Sequence, residues 1–246
     1  MGNKYKNPPI IEAVCEFRFE PGSAWDLAVP GLVYERIRDT FPKRRPTRDV
    51  QLGVRQVEAG LEQELKTTER IRFLRDDEKA FMQVGPDQVA IHHLKPYPSW
   101  KGFQPLIMEG FSAYSKAASP KGIQRIGLRY INRIEIPGEK VKLEDHFEFY
   151  PFVGTKLPQD FGPFIVGIEV PYEDARDMLR VQLTSVRGSA PNMIAVLHDL
   201  DYFLAKPGSV AVDDTQEWIG VAHDKVEEVF EACIKDSLRK IFIEEK

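Results

Sequence analysis

Read with a period of two, the stretch from Ile123 to Ile136, IQRIGLRYINRIEI, predicts a long half-buried strand. Ile126, Leu128, Tyr130, Asn132, Ile134 and Ile136 share one face, and Arg125, Gly127, Arg129, Ile131, Arg133 and Glu135 share the other. A second alternating stretch lies near the start. Ile11, Ala13, Cys15, Phe17 and Phe19 alternate with Glu12, Val14, Glu16 and Arg18, and Pro21-Gly22 closes the strand.

A similar order of elements follows each of these strands. In the first half, Ser23 can cap a helix with Asp26 in its first turn, and Trp25, Leu32, Val33, Arg36, Ile37 and Phe41 mark the inner stripe. Pro30-Gly31 interrupts that stripe, which moves the start of regular helix to this point, and Pro42 stops it. KRRPTR at 43–48 reads as a basic surface loop. Strands are expected near Val50–Val57, Glu62–Leu74, Lys79–Val84 and Gln88–His93, with a second helix from Trp100 carrying Phe103, Leu106, Ile107, Gly110, Phe111, Tyr114 and Ala117 inward. In the second half, Leu143–Tyr150 reads as a short helix. Strands follow at Phe164–Val170, Leu179–Val186 and Met193–Phe203, and a long helix runs from about Trp218 to Phe242, with Asp213, Asp214 or Thr215 as its cap.

The two starting strands lie about 115 residues apart, well beyond the 20–50-residue period of a solenoid. The expectation is an α+β protein built from a duplicated β-α-β(3-4)-α unit, with repeats at 1–120 and 121–246 forming a single compact domain. Its strands would make one large antiparallel sheet with helices on one face. This order is similar to the duplicated fold of the TATA-box-binding protein, which implies that the two starting strands sit together at the centre. The likeness is topological and carries no DNA-binding role with it.

Composition narrows the class. With 246 residues, 42% hydrophobic and 29% charged, the chain is globular rather than disordered. A formal net charge of -4 disfavours a general nucleic-acid coat and leaves room for a local basic face. Cys15 and Cys233 form no metal-ligand pair by spacing, and each lies on an apolar face, as buried thiols in a reducing cytoplasm do. The N-terminus has no apolar signal core, Lys6 stands where myristoylation needs Ser or Thr, and no apolar run approaches bilayer length. A cytoplasmic location without membrane contact is expected.

The candidate binding residues are Arg125, Arg129, Arg133, Glu12, Glu16, Tyr130 and Asn132. If the two starting strands are antiparallel neighbours, Glu12 and Glu16 face the three arginines across the solvated side. Two readings stand: a charge ladder that sets register, or a guanidinium fork that receives an anion. Tyr130 and Asn132 fall on the buried face, where an Asn needs a hydrogen-bond partner. No His-x-x-x-His pair is present, and in HDLDYF the strand alternation turns Asp199 and Asp201 away from His198. His223-Asp224 reads as a polar pair in the first turn of the last helix. No P-loop, GxGxxG, GxSxG or CxxC occurs, so neither cofactor nor metal is expected.

NPPIIEAVCEFRF at 7–19, RIGLRYINRIEI at 125–136 and EWIGVAHDKVEEVFEACIKDSLRKIF at 217–242 together resemble a sporadically distributed, functionally uncharacterised family of bacterial and archaeal proteins. Pro9, Glu12, Glu16, Arg129, Tyr130, Asn132, Asp201 and His223 match its recurring pattern. The resemblance implies a prokaryotic protein of patchy distribution, as in mobile or defence-associated genes, and supplies no catalytic residues. The leading expectation is a non-catalytic interaction protein, an accessory or antitoxin-like component of a defence or toxin system that holds a protein partner or self-associates. The alternatives are nucleic-acid binding through Arg125, Arg129, Arg133 and the 43–48 loop, and a phosphate-ester hydrolase or nuclease using Glu12, Glu16, Arg129 or His223.

Overall fold

The computed structural model describes residues 5–22, 25–57, 60–159 and 162–243, with side chains described except at 49–57 and 60–68. In chain order its elements are β1 (Ile10–Phe19), α1 (Val29–Ile37), β2 (Lys43–Val57), β3 (Gly60–Leu74), β4 (Ala80–Gly85), β5 (Gln88–Leu94) and α2 (Trp100–Ala118). There follow β6 (Ile123–Pro137), a 3-10 turn (Leu143–Asp145), β7 (Ile165–Tyr172), β8 (Asp177–Val186), β9 (Met193–Leu204), α3 (Thr215–Cys233) and α4 (Asp236–Phe242). The fold is α+β. Its nine strands form one antiparallel sheet in the order β2-β3-β4-β5-β1-β6-β9-β8-β7.

The period-two pattern explains how this sheet buries one side. One row of paired residues crosses eight strands: Phe73, Met82, Ile91, Cys15, Leu128, Tyr202, Leu179 and Val170. All but the last are buried, and all face the helices. Helix α2 packs on β5 and on α1, while α3 packs on β6 and β9. Phe111 and Tyr114 of α2 stack on Phe19, and Trp218 of α3 lies against Tyr202. A second, smaller core gathers Ile134, Ile136, Leu183 and Val196 under Phe147, Ile234, Leu238 and Phe242. No helix among the described residues is long and apolar enough to cross a membrane.

Four expectations need correction. Helix α1 begins at Val29, where the Pro30-Gly31 interruption placed it, so Asp26 lies ahead of the first turn and its side chain accepts the N–H groups of Ala28 and Val29; Ser23 lies outside the described residues. The 43–48 stretch is the start of β2 and not a loop, paired from Lys43↔Leu74 to Arg48↔Glu69. A charged edge strand lacks an apolar face, and Pro46 is tolerated there because an edge leaves one side without ladder bonds. The expected helix over 143–150 reduces to the 3-10 turn, and the expected long C-terminal helix divides into α3 and α4. These last two share one cause. Ile234 is extended and makes a β-bridge with Phe147, with Glu148 N–H donating to Cys233 O and Lys235 N–H to His146 O. Helix α3 starts at Thr215 without a side-chain cap bond from Asp214; Thr215 Oγ1 instead donates to Val212 O.

His198 on β9 is the least accommodated polar group of the core. It is fully buried between Phe147 and Phe230, and neither ring nitrogen has a hydrogen-bond partner. Desolvation pushes its pKa down to about 4. A histidine depressed in the folded state is protonated first in the unfolded chain, so stability falls as pH drops from 6.5 towards that value. His198 should make the protein about 2 kcal/mol less stable near pH 5 than near pH 7. Urea unfolding at the two pH values should show this loss, and His198→Phe, which suits the aromatic box, should remove that share. Parallel pH curves for the two proteins would refute the assignment.

Candidate functional site

Strands β1 and β6 pair antiparallel at the centre of the sheet, from Phe19↔Ile123 to Ile10↔Asn132. Their alternation places Glu12, Glu16 and Arg18, with Arg125, Arg129 and Arg133, on the face that the helices leave open. Across the β1–β6 seam the register does not set acids directly opposite the arginines. Glu16 faces Gly127, Val14 faces Arg129 and Glu12 faces Ile131. The contacts are therefore diagonal, and β9 takes part in them.

Arg125 is the centre of this lattice. Its guanidinium lies over Gly127, where a Cβ would come within 2.5 Å of Nη1, and 5.0 Å from the Phe203 ring centroid. From there it donates to Glu16 at 3.0 Å and to Asp201 at 2.9 Å. The row Glu16, Gly127, Phe203 thus provides an acid, a gap and a ring across three strands. Glu16 also accepts from Gln88 and pairs with Arg18 at 2.8 Å. Arg129 makes a two-point contact with Asp199, through Nε at 2.8 Å and through Nη2. Arg133 binds Glu135 at 2.7 Å and Arg187 O, while Glu135 also takes the backbone and hydroxyl of Ser189.

Glu12 does not join the arginines. It contacts His92 Nδ1 at 2.8 Å, and the His92 ring stacks on Phe81. That hydrogen bond holds the Glu12 carboxyl below its ordinary pKa. Asp201 moves the other way, because burial outweighs the pull of Arg125 and Arg129 and raises its pKa. Asp199 and Asp201 were legible as residues sharing a face, but nothing local to HDLDYF tells that β9 lies beside β6.

Tyr130 and Asn132 lie on the opposite side, under the helices. Asn132 Nδ2 donates to His198 O at 3.1 Å. Tyr130 OH is 3.0 Å from Tyr97 OH and 3.2 Å from His223 Nδ1, and Trp100 stacks on the His223 ring at 4.2 Å. The seven candidate residues therefore divide between two faces and do not form one site. Burial lowers the His223 pKa and raises those of Tyr97 and Tyr130, which keeps this chain uncharged. Among the described residues, His223, Asp224 and Glu227 have donor atoms within 4.8 Å of one another, close enough to converge on a cation. Their i, i+1, i+4 spacing on α3 also suits an ordinary solvated helix surface. The meeting of Trp100 with His223 had no sequence signal.

Two surface hollows, about 470 Å³ beside Asp39, Arg75 and Asp77 and about 440 Å³ beside Asp145, Lys235 and Asp236, involve none of these groups. No protein-family model matches the chain, and a search of curated proteins found no similar sequence.

The two arginines should differ in weight. Arg125 and its acids are mostly buried, with side-chain exposures of 25%, 19% and 13%, whereas Arg129 is 47% exposed. Arg125→Ala leaves the buried Asp201 without its partner and takes one of three partners from Glu16, so it should cost about 1–3 kcal/mol, against less than about 1 kcal/mol for Arg129→Ala. Equal losses in urea unfolding would remove Arg125 from its central place.

Proposed function

We propose that the protein is a non-catalytic interaction protein that offers the helix-free face of its sheet to a protein partner. The observation that carries this reading is that five arginines of that face are already paired. Arg18, Arg125, Arg129, Arg133 and Arg180 each hold a carboxylate, from Glu16, Asp201, Asp199, Glu135 and Glu169. A phosphate backbone is drawn to uncompensated positive charge. A mosaic of paired arginines and acids suits a protein surface of matching mosaic, where it sets orientation and rejects wrong partners. At the start of β2, Glu78 pairs with both Lys43 and Arg45 and Glu69 pairs with Arg48, which lowers the positive charge of that edge without cancelling it.

The hydrolase reading draws no support from Glu12 and Glu16, which serve His92 and Arg125 separately. We read residues 1–120 and 121–246 as two repeats in one domain, in the manner of the TATA-box-binding protein. The pairing of β1 with β6 supports this, as does the outward order β5, β4, β3, β2 on one side and β9, β8, β7 on the other. The second half departs from the pattern by one strand fewer and by a 3-10 turn in the place of α1. An accessory or antitoxin-like place in a toxin or defence system rests on the resemblance and fits a protein whose work is to hold another.

Native mass spectrometry of the protein isolated from its own cells should find a stoichiometric protein partner. The paired charge reversal Arg129→Glu with Asp199→Arg should weaken that complex, while Lys116→Glu on α2 should leave it intact. Labelled duplex DNA and single-stranded RNA should not bind at low salt. Salt-steep binding of either, lost in Arg129→Ala, would replace this reading with the nucleic-acid one.

A further inference from the structure

The two edges of the sheet are built differently. The described side chains of β2 begin Lys43, Arg44, Arg45, Pro46, Thr47, Arg48, which is the charge-and-proline pattern that discourages strand addition. The other edge, β7, reads IVGIEVPY, with Ile165 at 73% and Ile168 at 48% exposure. Among the described residues no strand pairs with its outer side.

The phase of the β7 ladder decides which backbone groups point outward. Ser185 N–H donates to Phe164 O, so Val166, Ile168 and Val170 direct their N–H and C=O groups to β8. Ile165, Gly167 and Glu169 direct theirs away from the sheet. Pro163 and Pro171, at equal distance on either side of Gly167 in the sequence, have no N–H to offer. The exposed edge is therefore symmetric about Gly167 and bracketed by prolines.

We propose that β7 pairs antiparallel with β7 of a second copy of this chain, with the two-fold axis at Gly167, to form a dimer with one continuous sheet. In this register Ile165 faces Glu169 of the second copy, Gly167 faces Gly167, and proline falls opposite proline. All outward N–H and C=O groups of Ile165, Gly167 and Glu169 then find partners. A shift of two residues in one direction sets Pro171 against Ile165, and in the other it sets Pro163 against Glu169; each loses hydrogen bonds. On the helix side Val166 meets Ile168 of the second copy, a β-branched pair that covers the exposed Ile168. The prolines end the ladder on both sides, and the two-fold makes the contact self-complementary and closed. Glu169 keeps Arg180 on the open face of its own copy. This inference stands on the edge of the sheet and is independent of what the open face binds.

The test is the mass of the full chain in solution, with two variants. Wild type should sediment as a dimer at micromolar concentration. Gly167→Cys should fold, since a Cβ there meets nothing nearer than Val181 O at 3.5 Å, and a short bis-thiol cross-linker, which spans the wider gap of a hydrogen-bonded pair, should join the two copies covalently. The native Cys15 and Cys233 are buried and should not contribute. Ile168→Lys, checked for native circular dichroism, should weaken the dimer at least tenfold. A monomeric wild type would overturn the proposal. So would a dimer that survives Ile168→Lys, or one that does not cross-link through residue 167.

Discussion

The antiparallel pairing of β1 with β6 holds this protein together. It joins a five-stranded arrangement built from the first half of the chain to a four-stranded one built from the second. Its register runs from Phe19↔Ile123 to Ile10↔Asn132, so each bond of the seam closes a loop of more than a hundred residues. Such contacts carry a loop-closure cost that local contacts do not, and the apolar burial of one face of each strand offsets it. Ala13, Cys15 and Phe17, with Ile126, Leu128 and Tyr130, supply that buried face, and α2 and α3 cover it.

The seam also decides what the other face can do. Because Glu16 falls opposite Gly127, the Arg125 guanidinium can lie flat over the strand, reach Asp201 on β9 and rest near Phe203. Desolvated on several sides, Arg125 acts as a bolt through three strands. Arg129 and Arg133 are more open and tie to acids within the same lattice. The result is a face on which Arg18, Arg125, Arg129, Arg133 and Arg180 each already hold a carboxylate. Its opposite side carries a separate polar chain, Tyr97–Tyr130–His223, closed over by Trp100 and kept neutral by burial.

Much of this was legible in the residues. Alternation separated Glu12, Glu16, Arg125 and Arg129 from Tyr130 and Asn132, turned Asp199 and Asp201 away from His198, and indicated α2, β1 and β6. It failed where a local pattern is absent or misleading. The start of β2 looks like a loop because an edge strand of lysine and arginine has no apolar period. The helical stripe of residues 218–242 continues across Ile234, yet a bridge to Phe147 interrupts the helix there. The period of that stripe cannot reveal such a bridge, because its partner lies in a distant segment.

What the sequence determined by itself is the division of each strand into two faces, because side-chain direction alternates with the backbone of that strand alone. It determined as well that the arginines of 123–136 would share the solvated side. Only the tertiary structure decided their partners. Glu12 went to His92 and Glu16 to Arg125, and Asp199 and Asp201 arrived from β9, because strand order and register set which side chains meet. Those quantities depend on how the whole sheet buries its helix-covered face, and no stretch of the chain carries that information alone.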